Sequence, residues 1–526
     1  MATSGLCETP SDRMPSYSEG GVYDGPFIVG KDILELLSSS MYVNPITIYR
    51  EYVQNAVDSI DEAVAAGEIA SASEGRIDVI LDHIQRRAVV RDNGIGLSAD
   101  EFAERMTSFG ASHKRGTTAR GFRGVGRLAG LGYCQELLFR SRSRQRDTVL
   151  EVRWDCKLLK RLLTAPNFEG DLEELVRKIV SVRKVDDQSY PEHFFEVELV
   201  KPRRIAGDRL LSELEIEAYL SQVGPCPLNP SFRFSGQIRE ILTPLGAASR
   251  EYNIFLNENE TPIYRPYADQ ILYSDARIGH AQQVQEIAIN GIDGKSAATG
   301  WILHHDYQGA IPSSLGMKGL RARVGNIQVG NDRIFSNVFP EERFCSWAIG
   351  EVHLTDRKIL PNGRRDNFEP NSHLANVITH LIPYGSEVGR RCRSSSQIRN
   401  RKKVFELGEQ KILQKLDTIE QGAISKKSAA MLRRELGTHL SEIRHTVNFD
   451  LIESKDRTKL EARAAELERL IDKSSISTNH DDPLLALSKS KQTTYRELFD
   501  LIYECSANRI AAKSLIDRIL SRISKS

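Results

Sequence analysis

Apolar residues between 45 and 66 recur at spacings of three and four: Tyr49, Tyr52, Val53, Ala56, Val57, Ile60 and Val64. That period predicts an amphipathic helix, with Asn44-Pro45 supplying a cap and a helix-starting proline. Its polar edge carries Glu51, Asn55 and Asp58 at i, i+4 and i+7, which share one face. The period then changes to two. "RIDVILD" (76–82) and "RRAVVRDNGIG" (86–96) predict an antiparallel pair, the second strand stopping at the Asp92-Asn93-Gly94 turn. "SADEFAERMTSFG" predicts a helix capped by Ser98, with Glu101 three residues on. A Gly/Ser/Thr/Lys/Arg-rich loop from Gly110 to Arg123 leads into the glycine-rich "GVGRLAGLGYC". Strands are expected at 136–142, 147–154 and 193–200, and a short helix at "DILELLSSS" ahead of the long one.

Residues 205–371 read as a second, mixed α/β unit with strands in "QEIAINGI", "ATGWILHH" and "LRARVGNIQVG". From 372 to 526 the chain turns helical and charged. Leu432, Leu436, Leu440, Ile443, Val447 and Leu451 form one stripe, Leu460, Leu467 and Ile471 continue it, and a final helix is expected over 493–522. The expected divisions are a flexible tail (1–22), a first α/β unit (23–204), a second (205–371) and a helical region serving as interaction or dimerisation seam.

Composition narrows the field. With 526 residues, 40% hydrophobic and 27% charged, the chain has material for several cores. A net charge of +1 gives no global basic field for nucleic acid. Seven scattered cysteines without a CxxC pair favour neither zinc nor a disulfide framework, and fit a reducing compartment. No apolar run reaches membrane-spanning length and no signal-peptide core is present, so a cytoplasmic protein without a membrane partner is expected.

Three elements within 76 residues suit a nucleotide. A buried carboxylate at a turn, Asp92, can accept a hydrogen bond from an adenine amine. The glycines of "DNGIG" and of "GFRGVG" (121–126) let backbone approach base and phosphates without a Cβ. The Asn55 oxygen suits Mg²⁺, and Glu51 one turn away can orient or deprotonate water.

This arrangement resembles the GHKL ATPase superfamily, whose members include the ninety-kilodalton heat-shock chaperone, gyrase, MutL-type repair proteins and histidine kinases. E-x-x-x-N-A-x-D is matched by Glu51, Asn55, Ala56 and Asp58, D-x-G-x-G by Asp92, Gly94 and Gly96, and G-x-x-G-x-G by Gly121, Gly124 and Gly126. The resemblance implies an α/β fold: a Bergerat-type α/β sandwich, then an α/β middle domain and an α-helical C-terminal region. It implies ATP and Mg as cofactors, with Glu51 as general base, Asn55 as metal ligand and Asp92 as adenine reader. Asp58 would support the adenine side, Gly94, Gly96 and Leu97 would line it, and Gly121, Phe122, Gly124, Val125 and Gly126 would face the phosphates. "FGASHK" resembles the F-G-x-S-x-K of MORC-type members and makes Lys114 a phosphate-contact candidate. "LPNGRRD" (360–366) resembles a chaperone middle-domain turn whose arginine reaches the γ-phosphate, which points to Arg365 and then Arg364. The Gly-Thr pair that in many members supports the adenine-reading aspartate is missing, "HFFEVEL" standing in its place, and the Gly110–Gly121 lid is short.

The expected function is an ATP-hydrolysing conformational clamp similar to the heat-shock chaperone, a homodimer with a protein client. The alternative is a MutL- or MORC-like clamp on nucleic acid, motivated by the basic run Arg390, Arg391, Arg393, Arg399, Arg401, Lys402 and Lys403. A histidine kinase is disfavoured, because the stretch ahead of Glu51 is too short for its helical hairpin.

Overall fold

A computed structural model describes residues 44–107, 126–144, 148–165, 171–185, 189–205, 207–274, 277–476 and 483–524. The tail and the "DILELLSSS" segment lie outside them. The fold is α/β with two mixed sheets and a helical C-terminal region.

The first helix, α1 (Thr47–Ala65), starts from a turn in which the Thr47 N–H donates to the Asn44 carbonyl (3.1 Å). Tyr49, Tyr52, Val53, Val57 and Ile60 are at most 2% exposed, so the periodic face is fully spent on the core. Against it lies a seven-stranded sheet of order β5-β4-β3-β6-β2-β1-β7. Its strands are β1 (Arg76–Asp82), β2 (Arg87–Asp92), β3 (Glu136–Arg142), β4 (Val149–Asp155), β5 (Val180–Val185), β6 (Phe194–Val200) and β7 (Asn253–Leu256). The β1–β2 pair is antiparallel, with Val79 opposite Val90. Helices α2 (Ala99–Thr107), α3 (Cys156–Thr164), α4 (Leu172–Ile179) and α5 (Glu213–Val223) add to the same core.

Strict alternation gives this sheet two unlike faces. Val79, Val90, Phe139, Val152 and Val197 point into the core with α1. The other face carries an ion lattice: Arg140 binds Glu151 (2.7 Å), Glu196 (2.7 Å) and Glu198 (2.6 Å), and Arg91 binds Glu196 (2.7 Å). Burial opposes the charge on Arg140, but Glu196 and Glu198 outweigh it and hold the guanidinium protonated well above its ordinary range. Cross-strand pairing of opposite charges offsets the cost of covering these carboxylates almost fully.

In and around the first sheet, two findings depart from the expected layout. The stretch 156–185, unread in the sequence, forms α3, α4 and β5. The edge strand β7 comes from beyond residue 204 and pairs parallel with β1, Ile77 opposite Ile254.

The second sheet has the order β12-β11-β13-β10-β9-β8, from β8 (Gln270–Ser274), β9 (Arg277–Asn290), β10 (Ser296–His305), β11 (Gly319–Val324), β12 (Ile327–Val329) and β13 (Ile349–Leu354), with α6 (Ser235–Leu242) on its core. "LRARVGNIQVG" is therefore a hairpin broken at Gly325-Asn326 rather than one strand. At the heart of this region Glu351 is completely buried between two buried arginines, Arg265 (2.5 Å) and Arg323 (2.6 Å). Arg323 also donates to the carbonyls of Gln222 (2.8 Å) and Gly224 (3.0 Å), closing the C-terminus of α5. Both sheets belong to one compact unit, residues 1–305 with 310–386.

The other compact unit holds 306–309 and 387–526. It is helical: α7 (Ser372–Glu420, entering this unit at Glu387), α8 (Lys426–Val447), α9 (Ser454–Ile476), α10 (Lys489–Cys505) and α11 (Arg509–Ile523). Leu432, Leu436, Ile443 and Val447 are buried as their stripe suggested. The expected single helix over 493–522 is two, because the Asn508 side chain accepts from the Ile510 and Ala511 N–H groups and starts a new helix. No helix among the described residues is long and apolar enough to cross a membrane.

Candidate functional site

The polar edge of α1 becomes a site because two loops dock on it. At one end, Ile95 N–H donates to the Ser59 carbonyl (3.2 Å), seating the Asp92–Gly96 turn on the helix. Gly94 is required there, since a Cβ would come within 2.2 Å of Ser59 Oγ and 2.6 Å of its carbonyl carbon. The Gly94 N–H donates to Asp92 Oδ1 (2.9 Å), fixing the carboxylate of a residue only 3% exposed. Gly96 has φ +66, and a Cβ on it would lie 2.6 Å from the Arg142 carbonyl. Leu97 follows, half-buried, its N–H held by Ser141 Oγ (2.9 Å).

At the other end, about 12 Å along the helix at 1.5 Å per residue, Gly126 lies against Glu51. A Cβ at Gly126 would be 2.7 Å from Glu51 Oε2. The two carboxylate oxygens therefore have different surroundings. Oε1 accepts from Arg50 Nε (3.3 Å) and Nη2 (3.1 Å), and Arg365 Nε lies 3.9 Å from it. Oε2 faces the Gly126 backbone. Glu51 is 7% exposed and Asp58 2% exposed. Between them Asn55 is half-buried and its side chain makes no hydrogen bond among the described residues.

Arg364 and Arg365 sit in a turn after β13, closed by the Arg365 N–H on the Asn362 carbonyl (3.1 Å) and by Asn362 Nδ2 on Asp366 Oδ1 (2.6 Å). Arg365 adopts φ +56, an unusual backbone state for a long side chain. Its side chain is turned to Glu51 and mostly covered, whereas Arg364 offers its carbonyl to Arg50 Nη2 (3.1 Å) and leaves its side chain exposed. Lys114, Gly121, Phe122, Gly124 and Val125 lie outside the described residues.

Sequence reasoning passed over several contributors. Arg50 adjoins Glu51, and its signal was simple adjacency. Arg127 follows Gly126, and burial pushes its guanidinium down to about 10, with the nearby positive charge of Arg105 adding to the shift. A cation so placed gains from a neighbouring anion. Tyr52 Oη accepts the Gly130 N–H (2.8 Å) and anchors the turn running from Gly126 to Gly132. The missing threonine is explained by register: Phe195 stands opposite Asp92, and the hydroxyl on that row, Ser141, sits one strand further and holds Leu97. Nothing local in the sequence announces it.

The arrangement fits a nucleoside triphosphate with a divalent cation. A Cβ-free turn faces a carboxylate oxygen, an uncommitted amide oxygen lies one helical turn away, and a fixed carboxylate closes the far end at about the length of such a molecule. The basic run 390–403 is largely committed elsewhere: Arg399 donates to the Tyr307 carbonyl (2.6 Å), Lys402 pairs with Asp456 (2.5 Å), Arg391 pairs with Glu387 (2.9 Å) and Arg401 lies over Phe449 (5.0 Å).

Comparison with known proteins falls on the same stretch. Residues 47–168 match the family described as histidine kinase-, DNA gyrase B-, and HSP90-like ATPase. "Chaperone protein HtpG" of Chlorobium phaeovibrioides is 35% identical over 92 residues, 16% of this chain and 14% of the relative. The same-named protein of Polaromonas naphthalenivorans is 30% identical over 139 residues, 23% of this chain and 22% of the relative. That of Rhizobium meliloti is 36% identical over 92 residues, 16% and 14% of the two chains. The chain thus matches these relatives over less than a quarter of their length.

Proposed function

With residues 47–168 placed in the histidine kinase-, DNA gyrase B- and HSP90-like ATPase family, we propose that the chain binds and hydrolyses ATP and uses the cycle as a conformational clamp of chaperone type. The observation that carries this reading is the split environment of Glu51, with Oε1 held by Arg50 and Oε2 turned to the Gly126 backbone. A carboxylate held at one oxygen keeps the other aimed, and Oε2 is the atom that accepts the proton of the attacking water. Asp92, fixed by Gly94, takes the adenine amine. Asn55 gives its amide oxygen to Mg²⁺, which when bound neutralises charge on the phosphoryl oxygens. The Gly126–Gly132 turn presents backbone N–H groups, with Arg127 adding positive charge. Arg365 stands beside Glu51 and contributes an always-charged guanidinium to the phosphate end.

The Arg364–Arg365 turn follows the second sheet, so its engagement with Glu51 supports a cycle in which nucleotide state is felt by that region. ATP must bind the closed state more tightly than the open one for this coupling to operate. The HtpG relatives support a protein client, and the helical unit supplies the seam of a homodimer. A nucleic-acid clamp is the second reading, and the commitment of Arg399, Arg401 and Lys402 to contacts within their own unit weighs against the run that first suggested it.

The test is ATP turnover with nucleotide binding measured in parallel. Glu51→Ala is expected to bind ATP without appreciable hydrolysis, and Asp92→Asn to lose binding. Gel filtration with a non-hydrolysable analogue is expected to show a change in shape or association. Equal turnover in wild type and both variants removes the proposal.

A further inference from the structure

A cleft of about 390 Å³ opens at the end of the first sheet opposite Asp92, where the β1–β2 turn meets the chain leaving β6. Arg86 precedes β2 and lies roughly 20 Å from Asp92, six strand steps of ~3.3 Å. The cleft is lined by Arg86, Lys201, Arg203, Arg204, Gln135 and the 96%-exposed Ile84, among others, with no carboxylate in its walls. Such density of like charge is held on purpose-built geometry. Arg86 grips Asp208 with both terminal nitrogens (2.6 and 2.9 Å) and donates to the Pro202 carbonyl (2.7 Å). Its own carbonyl accepts the Lys201 N–H (2.8 Å). Arg86, Lys201 and Asp208 all adopt positive φ (+53, +49 and +67), a cost the clasp has to overcome.

The charge balance decides what the cleft fits. Asp208 is neutralised by Arg86, so Lys201, Arg203 and Arg204 remain, three cations within four residues. None of the three forms a salt bridge among the described residues. A single carboxylate offsets one of them. Phosphoryl groups carry more charge on oxygens arranged tetrahedrally, match guanidinium forks, and answer all three at once. No aromatic side chain lines the cleft, so the contact is with phosphate rather than with stacked bases.

We infer that this cleft is a second anion site, separate from the nucleotide pocket, that binds phosphoryl groups of a polyanionic ligand, either a nucleic-acid backbone or a small phosphorylated molecule. Arg203 also ties the cleft to the rest of the domain, donating from its backbone to the Tyr133 carbonyl (2.7 Å) and from Nη1 to the Gly132 carbonyl (3.2 Å) at the end of the Gly126–Gly132 turn.

The experiment uses the full chain, a fluorescently labelled DNA duplex followed by anisotropy over a salt series, and inorganic pyrophosphate followed by calorimetry. The exposed pair Lys201→Glu/Arg204→Glu is expected to weaken duplex binding at least tenfold and to reduce the slope of log K against log salt by about 2, the release of two phosphate contacts. Lys426→Glu/Lys427→Glu, exposed on α8, and Asp92→Asn are expected to bind the duplex as wild type does. Pyrophosphate binding lost in the cleft variant, without duplex binding, identifies the small-molecule source and supports the same site. The inference is overturned if neither probe binds at low salt, if the cleft variant binds as wild type does, or if polyglutamate displaces the probes as well as pyrophosphate does.

Discussion

Gly126→Ala tests the geometry of Glu51 with the smallest possible perturbation. The new methyl would sit 2.7 Å from Glu51 Oε2, where ordinary contact begins near 3.4 Å, so the carboxylate has to retreat by about 0.7 Å. Retreat is not free, because Oε1 is held by Arg50 at 3.1 and 3.3 Å, and the side chain is 92% covered. Moving Oε2 while Oε1 stays bound rotates the oxygen that we propose accepts the proton away from the turn. Displacing it while breaking the Arg50 contacts forfeits charge-assisted hydrogen bonds of about 1.5–3 kcal/mol. A misplacement approaching 1 Å costs on the order of 10²-fold in rate. We therefore expect kcat for ATP to fall ~10- to 100-fold, about 1.4–2.7 kcal/mol in activation free energy. KM should stay within about threefold, because Asp92 and its turn are untouched. The assay is steady-state phosphate release at saturating and limiting ATP, with a thermal melt to confirm folding. A folded variant with kcat within twofold of wild type would refute the assignment of Oε2 as the working oxygen.

Two further expectations concern the buried ion cluster of the second sheet. Glu351→Gln leaves Arg265 and Arg323 buried without their shared anion and should destabilise the two-sheet unit by about 3–5 kcal/mol, read as a lower denaturation midpoint; an unchanged midpoint would show that the cluster is not a structural strut. His353, buried beside Glu351 with Arg265 and Arg323 near, has its pKa pushed below the usual value by burial, so the folded state takes up its proton later than the unfolded one. Stability should then fall as pH drops through about 6.5, by up to ~1.4 kcal/mol per unit, and His353→Gln should flatten that slope in denaturation measured between pH 7 and 5.5.

Local pattern carried the reading furthest where one face of an element is buried. The period-three-and-four stripe of α1 and the alternation of β1 and β2 predict their elements to within a few residues, because every second or fourth side chain answers to the same core. The glycines at 94 and 96 were legible for a related reason: each sits where a Cβ collides with backbone. What escaped is set by distance along the chain. Asp92 neighbours Phe195, and Leu97 hangs from Ser141, through strand register that no window around Asp92 reveals. β5 is mostly exposed at a sheet edge and shows little hydrophobic alternation. The α10–α11 break rests on one capping side chain, that of Asn508, with no proline or glycine to mark it.

The parallel strand β7 has a consequence for how this fold can be inherited. Ile254 and Leu256 are sealed in the core beneath α1, and Tyr252 and Arg250 both clasp Asp61 on that helix (2.5 and 2.9 Å). A fragment ending with β6 would leave the outer border of β1 unpaired and open to solvent, a ready template for intermolecular zippering. The family-matching stretch is therefore not a detachable cassette: a break between β6 and β7 would strip its sheet of an edge strand carried by chain that also begins the next region.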